Sequence, residues 1–250
     1  MDRIFNWGII GLGKIARKFA EDLRRLPNAR LHAVASTSAD RAAAFAAEFG
    51  ASRAFGSYEA LLDCPGLDVI YVATPHVLHS ENALLCLERG ISVLCEKPFA
   101  MDLPAARQMV TAARRHRAFL MEALWTRFIP AVDYALALAE QGEIGRVHTV
   151  KADFGYYAPF DAHSRIYNKV LGGGSLLDIG IYPALLALFV LGKPLPENVS
   201  ASATFTPTEV DESCAFTFSY PGGNQLALGH SSVAANTPVE AWLYGTEGAI

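Results

Sequence analysis

Three short stretches of this sequence carry residue types that can do chemistry. The first is Gly11-Leu12-Gly13-Lys14-Ile15-Ala16, which follows the apolar run Trp7–Ile10 and opens a helical pattern. Gly11 permits a tight turn, Gly13 lets a pyrophosphate approach the backbone, and the small Ala16 lets helix and strand pack closely. Free N–H groups at the helix start then face the anion. From these residues alone, a strand-to-helix turn that merely favours glycine reads the same. Its place in the first βα turn of an alternating pattern points to a dinucleotide cofactor.

The second stretch is Ala35-Ser36-Thr37-Ser38-Ala39-Asp40-Arg41, at the end of the second strand. An acid there would pair with the ribose 2′-OH of NAD. Ser36, Thr37, Ser38 and Arg41 instead suit a 2′-phosphate, through hydrogen bonds and charge, so NADP is expected ahead of NAD. Asp40 is expected to cap the next helix. Arg41 as a solvated helix residue is the plainer alternative. The third stretch is Glu96-Lys97-Pro98, at the carboxyl end of an apolar strand, where doubly wound sheets bind ligands. Pro98 sets the chain direction and biases Lys97 toward extended backbone. Lys97 then reaches a cofactor ribose and a substrate hydroxyl, or is a surface lysine in an ordinary loop.

These residues need a frame, and the first half of the chain provides its pattern. Trp7–Ile10, Leu31–Ala35, Val69–Ala73, Ile91–Cys95 and Phe119–Ala123 read as buried strands. Ile15–Arg25, Arg41–Phe49, His79–Arg89 and Leu103–His116 read as the helices between them. Apolar strands alternating with helices predict a parallel sheet covered on both faces, an α/β doubly wound fold. The second half predicts a helix at Pro130–Gln141 and a strand at Val147–Tyr156. After another helical stretch come strands at Val199–Thr206, Ser213–Tyr220, Gln225–Ser232 and Val239–Tyr244. Their period-two alternation and the Pro221-Gly222-Gly223-Asn224 turn predict an α+β domain with an open, mostly antiparallel sheet, one face of it covered. The boundary is placed near Leu124, giving domains 1–124 and 125–250. Ala249-Ile250 begins a further strand after the turn at Gly245–Gly248, so the second domain is expected to continue past Ile250.

Composition narrows the classes. Of 250 residues 52% are hydrophobic and 18% charged, which suits one or two packed domains. The net charge of −4, with 21 interspersed Lys and Arg, gives no footprint for nucleic acid. Cys64, Cys86, Cys95 and Cys214 fall in no metal or disulfide pattern, which fits a reducing compartment. The seven histidines form no ligand-spaced pair with nearby acids, so no metal is expected. The N-terminus lacks a signal-type apolar core, and Pro183–Leu191, the longest apolar stretch, is too short for a bilayer. A cytoplasmic protein with no membrane partner is expected.

Taken together, Gly11–Ala16, Glu96-Lys97-Pro98 and the Gly172-to-Tyr182 run GGGSLLDIGIY resemble the Gfo/Idh/MocA oxidoreductases. Met121–Phe128 (MEALWTRF) and the Asp-Ile-Gly-Ile-Tyr ending resemble its branch of dimeric dihydrodiol dehydrogenases and NADP-dependent D-xylose 1-dehydrogenases. The resemblance covers essentially the whole chain. It implies a Rossmann domain, a second domain whose open sheet often makes a dimer interface, and a small sugar, polyol or diol as substrate.

It also implies a mechanism. Many members carry histidine where this chain has Tyr182, with an aspartate four positions earlier, here Asp178. That spacing puts both on one side of a helix, although Pro183 restricts where the helix begins. Tyr182 would take the alcohol proton while hydride leaves for the nicotinamide, Lys97 would favour the phenolate, and Asp178 would orient substrate or Lys97. Thr74, Pro75 and Glu96 resemble positions along the cofactor. His79 matches a recurrent position, with capping or packing as alternatives. Trp125 and Arg127 would touch nicotinamide or substrate. Phe154 and Tyr156 would wall the substrate, or belong to core. Two other readings stay open: a glucose–fructose-type oxidoreductase that retains its cofactor, and a non-catalytic dinucleotide-binding regulator.

Overall fold

A strand that is apolar on both faces is stable only when helices cover both faces. Residues 3–192 and 195–250 are described by the computed structural model. Its first unit, Met1–Ala123, meets that requirement. The strands are β1 (Phe5–Ile10), β2 (Ala29–Ala35), β3 (Arg53–Phe55), β4 (Val69–Val72), β5 (Ser92–Cys95) and β6 (Leu120–Glu122). The helices are α1 (Lys14–Leu23), α2 (Ala39–Phe49), α3 (Tyr58–Leu62), α4 (His79–Leu87) and α5 (Leu103–His116). The sheet runs β3-β2-β1-β4-β5-β6, parallel throughout. The order reverses at β1, which pairs with β2 on one side and β4 on the other, and ligands bind beyond the strand ends at such a reversal.

Each face has its own core. Ile9, Val34 and Tyr71 pack with Ala16, Ala20 and Phe45 of α1 and α2. Ile10, Val72 and Val93 pack with Ala83, Leu87, Met109 and Ala113 of α4 and α5. Helix ends follow local rules. Asp102 caps α5 by accepting from the Ala105 amide at 2.8 Å, and Arg114, Arg115 and His116 occupy its last turn, where the dipole favours cations. β3 and α3 escaped the sequence reading, because three and five residues are too few to show a period.

The second unit, Leu124–Ile250, holds α6 (Pro130–Glu140), β7 (Val147–Gly155), a π-helical turn at Leu176–Gly180 running into α7 (Ile181–Leu191), and then β8 (Asn198–Phe205), β9 (Asp211–Ser219), β10 (Leu226–Ser232) and β11 (Ala241–Gly245). Its sheet runs β11-β7-β10-β9-β8, with β7 and β10 parallel and the other pairs antiparallel. The sheet is therefore mixed. β10 does not stay within a simple meander; it lies beside β7, a neighbour 71 or more residues earlier that no local turn can specify. The expected covered face also stops short of β8, whose residues are all exposed, Val199 and Phe205 included.

The helical run at Lys169–Leu191 exceeds the apolar stretch read from sequence and is long and apolar enough, by length and composition, to cross a membrane. Here it is a succession of 3-10, π and α segments. Ala187 and Leu191 are buried against Val150, Ala227 and Leu243 of the sheet, as in a core helix.

Candidate functional site

In the first unit, Gly11 has φ +85°, and a Cβ on it would lie 2.6 Å from the Ala73 carbonyl oxygen, so only glycine fits the turn after β1. Gly13 precedes α1 without any side-chain cap, and a Cβ there would meet nothing within 4 Å. Lys14 and Ile15 open the ten-residue helix, with Leu12 in the turn before it. N–H groups without a side-chain cap, beside a glycine with open space at its Cβ position, suit the approach of a dinucleotide pyrophosphate.

At the end of β2, Ser36 is buried and its hydroxyl accepts from the Ser38 amide at 3.3 Å. Arg41 donates to the Thr37 hydroxyl at 3.0 Å, which draws the guanidinium back over the strand end. The capping expectation for Asp40 is corrected. Ser38 is the cap, accepting from the Arg41 amide at 3.4 Å, and Asp40 sits in the first turn of α2. Ser38 prevails because its short hydroxyl sits where the chain is still extended.

The ends of β4, β5 and β6 gather the other candidates of this unit. Thr74 is buried, its hydroxyl accepting from Asn82 at 3.2 Å, and Pro75 leads into a 3-10 turn. His79, fully buried, has Nδ1 2.8 Å from the Pro98 carbonyl and Nε2 2.9 Å from the Thr74 carbonyl. It thus sits between the Thr74 loop and the Lys97 turn. Glu96 accepts from the Tyr71 hydroxyl and, through its other oxygen, from the Lys97 amide at 3.1 Å. Burial holds the Glu96 carboxyl above its usual range against the lowering effect of Tyr71 and Lys97. Tyr71 and Glu122 did not figure among the expected site residues. A lone acid in the apolar run Phe119–Ala123 was the available signal for Glu122.

In the second unit, Asp178 lies in the π-helical turn and Tyr182 is the second residue of α7, with Pro183 next in its first turn. Asp178 is 4% exposed. Its two oxygens accept from the Tyr156 hydroxyl and from Arg165, each at 3.0 Å. Burial first, then the Asp178 charge and the bond to it, push the Tyr156 phenol up. Tyr156 is therefore the polar partner of a buried acid, and Arg165 is a cation that the sequence reading passed over. Phe154 and Tyr182 come together, with ring centroids 5.3 Å apart. Trp125 lies exposed in a 3-10 turn. Arg127 pairs with Asp133 at 2.6 Å and lies 5.9 Å from the Phe189 ring centre.

With that geometry in place, comparison with known proteins is decisive at the level of family. Residues 5–124 match the oxidoreductase family with an NAD-binding Rossmann fold, and residues 132–250 match the GFO/IDH/MocA C-terminal domain. The chain belongs to the Gfo/Idh/MocA oxidoreductase family. A trans-1,2-dihydrobenzene-1,2-diol dehydrogenase of Danio rerio is 44% identical over 247 residues, covering 98% of this chain and 73% of that protein. An aldose-aldose oxidoreductase of Caulobacter crescentus, solved with glycerol, superposes with a TM-score of 0.91 at 28% identity, covering 99% of this chain and 76% of the other. A 3-ketoreductase of Actinomadura kijaniata, solved with TDP-benzene and NADP, superposes at 0.86 with 28% identity, covering 99% and 75%. This Gfo/Idh/MocA member is thus an oxidoreductase whose first unit is a dinucleotide-binding Rossmann fold.

Proposed function

We propose that this Gfo/Idh/MocA protein is an NADP(H)-dependent dehydrogenase acting on a CH–OH carbon of a trans-dihydrodiol, sugar or polyol. The observation that carries the reading is the 44% identity, over 98% of the chain, with a dihydrodiol dehydrogenase. The NADP preference is supported by the strand end after β2, where hydroxyls and Arg41 stand in place of an acid. The first domain, 1–124, binds the nucleotide and the second, 125–250, holds the substrate.

Bound nicotinamide supplies the hydride acceptor, or the donor in the reverse direction. Tyr182 takes the alcohol proton on its phenolic oxygen and returns it to the alkoxide in the reverse direction. A phenol has an ordinary pKa of about 10, so it accepts a proton near neutrality only beside a cation, the part assigned to Lys97. Asp178 holds Tyr156 and Arg165 on the turn that leads into Tyr182. Phe154 offers an apolar ring beside Tyr182 for the flat face of a sugar or diene. Free, buried cysteines agree with a cytoplasmic setting, and the exposed Leu228, Trp242 and Tyr244 on one face of the second sheet suit a homodimer.

Titration of NADP⁺ against NAD⁺, followed by D-xylose or a trans-dihydrodiol, tests the proposal. Tighter NADP⁺ binding and NADPH formation are expected. Replacing Tyr182 with Phe abolishes turnover and leaves nucleotide affinity nearly intact; equal loss of both refutes the acid–base assignment. The likeness to the aldose-aldose oxidoreductase favours one second reading, a cofactor retained between two sugars. NADP that copurifies and survives dialysis would select it. Binding without turnover across the panel would leave a regulator.

A further inference from the structure

The turn that carries Lys97 has its own hydrogen-bond accounting. Pro98 has no N–H, so the turn's donors are the Lys97 and Phe99 amides, and half-buried amides must find acceptors. The Lys97 amide goes to Glu96 at 3.1 Å. The Phe99 amide goes to Glu122 Oε1 at 2.9 Å, across 23 residues of sequence. On the acceptor side, the Pro98 carbonyl faces His79 Nδ1 at 2.8 Å, and the Phe99 carbonyl faces the Cys95 thiol at 3.8 Å. Glu122, His79 and Cys95 belong to β6, α4 and β5, whereas Glu96 belongs to the turn itself. Glu122 ends β6 directly opposite Cys95, the last residue of β5.

Glu122 is buried enough that its carboxyl is held above the usual range. The Phe99 bond lowers it, Glu96 raises it, and the charge of Lys97 lowers it again. A lysine side chain is a flexible four-carbon stem, so where its ammonium dwells depends on how firmly its backbone is held. Without an acceptor at Glu122, the Phe99 amide must seek water and the turn loosens on the β6 side.

We infer that Glu122 is a positioning residue for Lys97, acting through the Phe99 amide. The inference rests on Lys97 serving the reaction proposed above, and the test separates the two claims. Three variants of the full chain are compared: E122A, E122Q and E122D. Gln keeps an oxygen for the Phe99 amide but no charge, whereas Asp keeps the charge one methylene too far back. In E122A, kcat falls roughly tenfold to a hundredfold, while KM stays within about threefold. E122Q keeps kcat within about threefold of the parent protein. If E122A does not fold, E122D carries the same expectation.

The second readout is the labelling rate of Lys97 by trinitrobenzenesulfonate, followed by peptide mass spectrometry, with Lys18 and Lys169 as internal references. E122A changes the Lys97 rate and leaves the references alone. An unchanged Lys97 rate, or an E122Q as impaired as E122A, overturns the inference. If the parent protein turns over none of the substrates, the proposed function fails, and the labelling comparison still decides whether Glu122 positions Lys97.

Discussion

Tyr156, the residue after β7, donates its hydroxyl to Asp178 at 3.0 Å, joining the end of that strand to the helical turn that leads into Tyr182. Asp178 is buried, so this bond satisfies an acid that water does not reach. Hydrogen bonds to charged groups contribute about 1.5–3 kcal/mol. Tyr156→Phe is expected to lower stability by about that amount, read from urea unfolding. Asp178→Asn, which can still accept from Tyr156, is expected to cost less than Asp178→Ala. A Tyr156→Phe protein as stable as the parent would show that Asp178 draws nothing from this bond.

Gly11 admits no side chain. Its φ of +85° and the 2.6 Å separation between an ideal Cβ position and the Ala73 carbonyl oxygen leave Gly11→Ala with a strained turn and a backbone clash. Thermal unfolding is expected to drop, with a loss of about 1–3 kcal/mol or more, and nucleotide binding is expected to weaken further because the turn aims α1. Gly13→Ala, whose Cβ meets no protein atom, is expected to fold normally and bind nucleotide less well. Calorimetry of both variants with NADP⁺ checks the contrast.

Arg41 and Thr37, bonded at 3.0 Å, stand where a 2′-phosphate is expected. Arg41→Ala should weaken NADP⁺ roughly tenfold to a hundredfold, the range of one charge-assisted hydrogen bond, and leave NAD⁺ unchanged. Ser36→Asp should reverse the preference by offering an acid to the ribose. Parallel titrations of both nucleotides decide, and an Arg41→Ala that weakens both equally would remove Arg41 from the 2′ position.

Glu96 and Glu122 both have carboxyls raised by burial. A raised carboxyl means that the folded protein holds its proton to higher pH than the unfolded chain does. Their contribution is therefore most favourable below the ordinary value of 4.5 and is lost as pH rises through the raised values. Relative to the parent protein, Glu122→Gln should gain stability between pH 4.5 and neutrality, offset in part by the weaker bond to Phe99. Denaturant unfolding of both proteins across that window provides the measurement. A difference that does not vary with pH would mean Glu122 is not raised.

Much of this molecule was legible in its local patterns. The alternation of apolar strand and helix in the first half and the Gly11–Ala16 turn are set by neighbours a few positions apart, so sequence alone reached the Rossmann unit and the turn after β1, while the cap of α2 fell to Ser38 and not to Asp40. α5 was legible to its ends because Asp102 and the basic last turn mark them. The family followed from motifs that are short and contiguous.

What tertiary structure decided is what joins distant residues. Nothing near Glu122 in sequence says that its acceptor serves the Phe99 amide 23 positions away, and nothing near Tyr156 points to Asp178, 22 positions on. The same holds for β7, which takes β10 as a parallel neighbour, and for His79, placed between two carbonyls of different loops. A period or a cap is written in the backbone energetics of one segment, whereas a buried polar group is satisfied by whatever the completed fold brings beside it.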